Sequence, residues 1–123
     1  GVIPFYLNTI EIKHDGVTKT HQVDELHERK ALMEKSADCF LVLPGGIGTL
    51  DELCEVLTLQ SLDRHKKMIY IWNWNRVFDG FFQFLSNGIE QKLIAPDLLT
   101  NCVISEDLDK ILEYLLGSGS KLG

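Results

Sequence analysis

The sequence predicts an α/β fold in which a doubly wound parallel sheet carries helices on both faces. Two observations lead to this prediction: short, continuous apolar runs typical of strands buried on both faces recur along the chain, and segments of helical periodicity separate them. Strands that alternate with helices form right-handed crossovers and a parallel sheet. The predicted domain spans residues 1–116, and the Gly/Ser-rich segment 117–123 is predicted to be a flexible tail.

The first predicted strand is the apolar run Val2–Leu7, which is followed by a polar segment with a turn signal at Asp15-Gly16. A helix is predicted over Val23–Ser36, because this segment is rich in strong helix formers and contains neither glycine nor proline. A strand that begins at residue 2 leaves the sheet without an obvious first strand-helix unit. We therefore expect the chain to be a fragment that lacks the first strands of its domain.

The alternation of strands and helices continues through the rest of the chain. The predicted strands are Asp38–Leu43, Lys67–Trp72 and Cys102–Ile104, and the predicted helices are Thr49–Leu62, Val77–Gln91 and Leu108–Leu116. The second of these helices is rich in phenylalanine, which is explained most simply by core packing or by a contact between subunits.

Composition argues against several classes of function. Eighteen acidic residues against twelve basic ones give a net charge of −6, which repels polyanions, so we expect no nucleic-acid partner. No apolar run approaches the roughly 20 residues that span a bilayer, so we expect no membrane partner. The three cysteines lie in apolar contexts without short pairing, which is typical of reduced core residues in a cytoplasmic protein. The four histidines lack metal-ligand spacing, so no metal site is predicted.

A glycine-rich loop follows the strand Asp38–Leu43, with glycines at positions 45, 46 and 48. Ligands of doubly wound folds bind outside the carboxyl ends of the strands. Glycines allow positive φ and a close approach, and the amides that open the next helix attract an anion, so the loop can cradle a phosphate. It is neither a P-loop, because no lysine follows Gly48, nor the dinucleotide fingerprint. A tight turn that needs glycine only for its backbone is the alternative.

Glu52 also has two interpretations. The segment Thr49-Leu50-Asp51-Glu52 matches a capping box, in which the Glu52 side chain reaches back to the amide of Thr49. In the functional interpretation, the Glu52 carboxylate lies one turn into the helix, beside the anion site, and acts as a base.

Arg29 and Lys30 form a basic pair in the preceding predicted helix. On a helical wheel, Lys30 falls within the apolar stripe formed by Val23, Leu26 and Met33, and Arg29 lies near its edge. Either the two aliphatic stems cover the core while the charges reach water, or the two cations form a clamp for phosphate.

Two motifs in this order and at this spacing, Asp24–Met33 and Pro44–Glu52, carry a resemblance to a known family. Together they resemble the LOG family of cytokinin riboside 5′-monophosphate phosphoribohydrolases, and the similarity runs from Val2 to about Leu116. The resemblance implies a Rossmann-like fold. It also implies that the first third of a family chain, with the first strand and its glycine-rich turn, is absent here.

The resemblance implies hydrolysis of the N-glycosidic bond of a nucleoside 5′-monophosphate, either a cytokinin riboside 5′-monophosphate or AMP, to free base and ribose 5-phosphate. Arg29 and Glu52 match the catalytic residues of the family. The residues that match its phosphate- and nucleotide-binding positions are Lys30, Gly45, Gly46, Gly48 and Thr49. Family members have often been labelled lysine decarboxylases, but nothing in the sequence indicates a pyridoxal phosphate site, so no cofactor is expected. The resemblance also implies a homodimer.

Two other interpretations of the residues stay open. The same loop and helix terminus could serve a non-catalytic carrier of a nucleotide or cofactor. The phenylalanine-rich helix could instead make the chain an interaction module.

Overall fold

The computed structural model describes residues 1–6, 37–62 and 66–122, with side chains up to Gly117. The described residues form strands β1 Val2–Phe5, β2 Cys39–Val42, β3 Met68–Trp72 and β4 Cys102–Ser105, and helices α1 Ile47–Ser61, α2 Asp79–Glu90 and α3 Leu108–Leu122. A short 3-10 helix, Trp74–Arg76, joins β3 to α2. The helix predicted over Val23–Ser36 lies outside the described residues.

The strands form one sheet in the order β1-β2-β3-β4. Strands β2, β3 and β4 are parallel, and β1 pairs antiparallel with β2, so that Val2 lies opposite Val42 and Phe5 opposite Cys39. The α/β class is confirmed, whereas the expectation of an all-parallel sheet is wrong for β1. An apolar run does not reveal strand direction, because an edge strand satisfies its backbone hydrogen bonds in either orientation.

Two apolar layers cover the two faces of the sheet. Because successive side chains of a strand point to opposite faces, β2 and β3 contribute to both layers. One layer packs Phe40, Val42, Ile69 and Ile71 against Leu53, Val56 and Leu57 of α1, Phe78 just before α2, and Phe81 and Phe82 of α2. The other layer packs Cys39, Leu41 and Tyr70 against Ile111 and Leu115 of α3. Helices therefore lie on both faces, as predicted.

The cysteines are free thiols, but they do not share one environment. Burial, assisted by the neighbouring Asp38 carboxylate, raises the pKa of the Cys39 thiol to about 11, and burial raises the pKa of Cys102 to about 12. Cys54 is exposed, so its expected place in the core is wrong. It follows the buried Leu53 in α1, and the rotation of about 100° between successive helical residues turns it toward water.

Helix α3 continues to Leu122, whereas the sequence predicts a flexible tail from Gly117. Glycine and serine lower the intrinsic tendency to form a helix, but a helix that already exists gains one backbone hydrogen bond for each residue added to it. The boundary of the domain at residue 116 stays a prediction.

Asn73 holds the connection between β3 and α2. Its side chain is buried; Oδ1 accepts a hydrogen bond from the amide of Phe78 at 2.8 Å, and Nδ2 donates to Oδ1 of Asp79 at 2.8 Å. Arg76 donates from Nε to the other oxygen of Asp79 at 2.6 Å, and the hydrogen bonds from Asn73 and Arg76 lower the pKa of Asp79. Between these contacts, Asn75 and Arg76 adopt positive φ values of 52° and 58°.

We expect Asn73→Ala to destabilise the fold by about 2–3 kcal/mol, because it leaves the amide of the buried Phe78 without its acceptor. Urea denaturation of the full-length protein measures this loss. The control is Arg76→Ala, which removes an exposed ion pair and should change the free energy of unfolding much less. Equal losses in the two variants would contradict the role assigned to Asn73.

Candidate active site

The glycine-rich loop leaves the carboxyl end of β2 and leads directly into α1, which begins at Ile47 with Gly46 as its N-cap residue. No side chain caps this end of the helix. The amide of Leu50 donates to the carbonyl oxygen of Gly46 at 3.2 Å. The amides of Ile47, Gly48 and Thr49 come too early in the helix to have an intrahelical acceptor. These amides and the positive end of the helix dipole therefore face the loop, an arrangement that favours an anion.

Gly45 is required by the packing of the loop itself. A Cβ atom at this position would contact the hydroxyl of Thr49 and would lie 3.1 Å from the Cβ atom of Thr49. Thr49 is buried, so it has little room to withdraw. The absence of a side chain at Gly45 thus allows the loop to pack against the first turn of α1.

The packing of the loop does not explain why glycine occupies positions 46 and 48. A Cβ atom at either position would meet no atom of the described residues within 4 Å. No glycine in the described part of the chain has a positive φ, so the loop does not use the left-handed conformation that its glycines allow. Neither packing against the described residues nor a positive φ explains glycine at these two positions, which leaves clearance in front of the helix as their common feature.

The predicted capping box does not form. Helix α1 begins two residues before Thr49, so Thr49 is its third residue and Glu52 its sixth. The sequence pattern placed the helix start two residues too late, because the glycines at positions 46 and 48 have low helix propensity. The structure nevertheless includes Gly48 in the first turn. The Glu52 carboxylate is therefore not occupied by the cap that the sequence pattern indicates.

The half-buried Glu52 lies beside the edge of the sheet formed by β1. Its Oε1 atom accepts a hydrogen bond of 3.4 Å from the amide of Val2. Gly48 precedes Glu52 by four residues, so both lie on one face of α1, and Cα–Cβ bonds in a helix tilt toward its N-terminus. With glycine at position 48, the residue one turn before Glu52 places no side chain between its carboxylate and the start of the helix.

The structure thus brings together five of the seven predicted site residues at one end of α1: Gly45, Gly46, Gly48, Thr49 and Glu52. Arg29 and Lys30 lie outside the described residues. Within residues 1–6, 37–62 and 66–122, no group of three or more His, Cys, Asp or Glu side chains could hold a metal ion. In that same part of the chain, no helix is both long and apolar enough to cross a membrane.

One residue of the loop was not singled out by its sequence pattern. Ile47 lies between Gly46 and Gly48, and its side chain is 81% exposed. The available signal was an isolated apolar residue flanked by two glycines.

Comparison with known proteins places the chain among relatives. Residues 1–115 match a family model described as "Possible lysine decarboxylase". The cytokinin riboside 5′-monophosphate phosphoribohydrolase LOG of Oryza sativa subsp. japonica is 41% identical over 97 residues, which are 79% of this chain and 40% of the relative. The cytokinin riboside 5′-monophosphate phosphoribohydrolase of Rhodococcoides fascians is 34% identical over 110 residues, which are 89% of this chain and 56% of the relative.

A third relative, the cytokinin riboside 5′-monophosphate phosphoribohydrolase LOG1 of Arabidopsis thaliana, is 35% identical over 116 residues, or 92% of this chain and 54% of the relative. The chain spans about half the length of the curated relatives that it matches. Because the family model covers nearly the whole chain and the two plant relatives carry the LOG name, the chain belongs to the family described as possible lysine decarboxylases, which is the LOG family.

Proposed function

We propose that the full-length protein hydrolyses the N-glycosidic bond of a nucleoside 5′-monophosphate and releases the free base and ribose 5-phosphate. The substrate is AMP or a cytokinin riboside 5′-monophosphate, the compound for which the relatives are named. The observation that carries this proposal is the position of Glu52 on the same helix face as Gly48, one turn behind a helix start at which Gly46 and Gly48 carry no side chain.

In this proposal, the 5′-phosphate binds to the first turn of α1. The amides of Ile47, Gly48 and Thr49 donate to its oxygens, and the helix dipole favours its negative charge. Gly46 and Gly48 allow the phosphate to approach the backbone, because neither position carries a Cβ atom that would hold it away. Thr49 and Gly45 keep the loop in place through their close packing.

Glu52 acts on the sugar. Cleavage of an N-glycosidic bond proceeds through a ribosyl group with oxocarbenium character, and a nearby carboxylate stabilises this positive charge. The carboxylate also orients or deprotonates the attacking water, whose oxygen bonds to the anomeric carbon as the base departs with the bonding electrons. The proton removed from the water completes the free base, so that one water is consumed for each bond broken.

Arg29 and Lys30 supply the cations in this proposal. A carboxylate beside a phosphate repels it, so a site that holds both needs positive charge to compensate. The fork of a guanidinium suits the anionic oxygens and fixes the ribose over Glu52, while the ammonium of Lys30 acts as a point charge. Both contribute by positioning the substrate as well as by charge.

Two other functions have less support. A carrier that only binds a nucleotide gains nothing from a carboxylate at the position of Glu52. A lysine decarboxylase with pyridoxal phosphate needs a lysine beside its cofactor. The relatives reported above are named for the hydrolysis of a nucleotide and not for a decarboxylation.

We also propose a cytoplasmic homodimer. The free thiols of the described cysteines suit a reducing compartment. The phenylalanine-rich helix α2 and the segment after it present an apolar surface, formed by Phe81, Phe84, Leu93 and Ile94, with Phe84 and Leu93 strongly exposed. A second copy of the chain is the partner that would cover this surface in the dimer.

Glu52→Gln in the full-length protein should lower the rate of base release from AMP by about 100-fold or more, because glutamine can neither deprotonate water nor balance the charge of the ribosyl group. Chromatography of the released base measures the rate. Asp51→Asn is the matched control, since it makes the same change of charge at an exposed position of the same helix turn. An unaltered rate in Glu52→Gln would exclude the catalytic role.

Gly48→Ala should separate folding from ligand binding. Its Cβ atom meets nothing within 4 Å and alanine favours a helix, so the free energy of unfolding should stay unchanged or rise by up to about 1 kcal/mol. Binding of AMP should nevertheless weaken at least about tenfold, because the methyl group enters the phosphate site. Gly45→Ala provides the contrast and should lower stability through its contact with Thr49. Full affinity for AMP in Gly48→Ala would contradict the proposed site.

Phe84→Asp should shift the full-length protein from dimer to monomer in gel filtration with light scattering, because it places a charge in the apolar surface of α2. Gln83→Asp puts the same charge on the neighbouring exposed residue and should leave the dimer intact. A wild-type protein that elutes as a monomer would rule out the dimer itself.

A further inference from the structure

The carboxylate of Glu52 lies against the backbone of strand β1. Its Oε1 atom accepts the hydrogen bond of 3.4 Å from the amide of Val2. A Cβ atom built on the preceding Gly1 would lie 3.5 Å from the same oxygen, so the start of β1 is in close contact with one side of the carboxylate. The other oxygen, Oε2, takes no part in this contact.

The amide of Val2 points away from β2. Val2 lies opposite Val42, and beside this pair the amide of Leu43 donates to the carbonyl oxygen of Gly1 at 2.9 Å. Because hydrogen-bonded and non-hydrogen-bonded pairs alternate in an antiparallel ladder, Val2 belongs to a non-hydrogen-bonded pair. Pro4, two residues further along, has the same orientation and no N–H group. The ladder between β1 and β2 therefore does not use the amide that the carboxylate accepts.

The donor is held more firmly than the acceptor. The side chain of Val2 is buried in the apolar layer that contains Phe40 and Val42, which fixes the backbone of β1 at this point. A glutamate side chain has several rotatable bonds, so its attachment to α1 alone leaves the carboxylate a choice of rotamers. A contact with a second, fixed element restricts that choice.

We propose that the backbone amide of Val2 is a positioning group, which holds Oε1 of Glu52 so that Oε2 faces the attacking water and the anomeric carbon. This inference rests on the proposed function. A carboxylate that is already oriented does not have to be ordered in each turnover, which lowers the barrier to the reaction. The phosphate binds at the first turn of α1, away from this contact, so the effect falls on kcat rather than on KM.

Val2→Pro in the full-length protein removes the N–H group without breaking a bond of the ladder, and Pro4 shows that β1 accepts proline in this orientation. The variant should lower kcat for base release from AMP about tenfold, because the carboxylate loses a donor to its charge, while KM should stay within about twofold. Steady-state kinetics measures both constants.

The matched control is Ile104→Pro in β4, the strand at the opposite end of the described sheet. The amides of Ile69 and Asn73 donate to the carbonyl oxygens of Asn101 and Ser105, so the bonds to β3 use every second residue of this part of the chain and pass over the exposed Ile104. Ile104→Pro introduces the same ring into a strand far from Glu52 and should leave kcat and KM unchanged.

A double-mutant cycle separates positioning from damage to the fold. Val2→Pro should lower the residual rate of Glu52→Gln by no more than about twofold, because no carboxylate is left to orient. A merely structural role would lower the rate by the same factor in both backgrounds. If Val2→Pro melts well below Ile104→Pro, an ester in place of the peptide bond between Gly1 and Val2 takes over the test, since it removes the N–H group and keeps the valine side chain.

An unchanged kcat in the folded variant, or equal losses in the two backgrounds, would overturn the inference. If the wild-type protein released no base from AMP, or if Glu52→Gln kept the full rate, the proposed function itself would fail. A rate that depends on Glu52 but not on the Val2 amide would refute the role of β1 alone, so the two failures are distinguishable.

Discussion

The burial of β2 on both faces is the constraint on which the rest of the structure depends. All four residues of this strand are buried, and their side chains alternate between the two apolar layers of the protein. A strand held in this way has a fixed register and a fixed end, since a slip by one residue would exchange the side chains of the two layers. The glycine-rich loop starts where β2 ends, so the position of the candidate site follows from the packing of the core.

The glycines of the loop serve two different purposes, which the sequence motif alone does not distinguish. Gly45 accommodates the buried Thr49, and this contact joins the loop to the first turn of α1. Gly46 and Gly48 leave the front of the helix open without contributing to packing. A rigid loop with a cleared front presents its amides without further rearrangement, which is the condition under which fixed dipoles stabilise charge most effectively.

Much of this arrangement could be predicted from the sequence, because it depends on apolar periodicity. The continuous run in β2 and the helical spacing in α2 revealed the strand-helix alternation and the carboxyl edge where the loop lies. The direction of β1 could not be predicted, since a short apolar strand pairs equally well in either direction. The first residue of α1 was also missed, because Gly48 lies inside the first turn although glycine propensity argues against it. That error of two residues is what made Glu52 resemble a cap.

The acidic character of the chain limits which groups can attract a nucleotide to the site. With a net charge of −6, the overall field of this chain repels a nucleotide, so attraction must come from groups within a few ångströms of the phosphate. The amides and dipole of α1 act over that range, but their effect falls off within the first turn, and Glu52 stands one turn further along. A phosphoribosyl group that reaches this carboxylate therefore needs a cation from another element, which is the physical reason for assigning that part to Arg29 and Lys30.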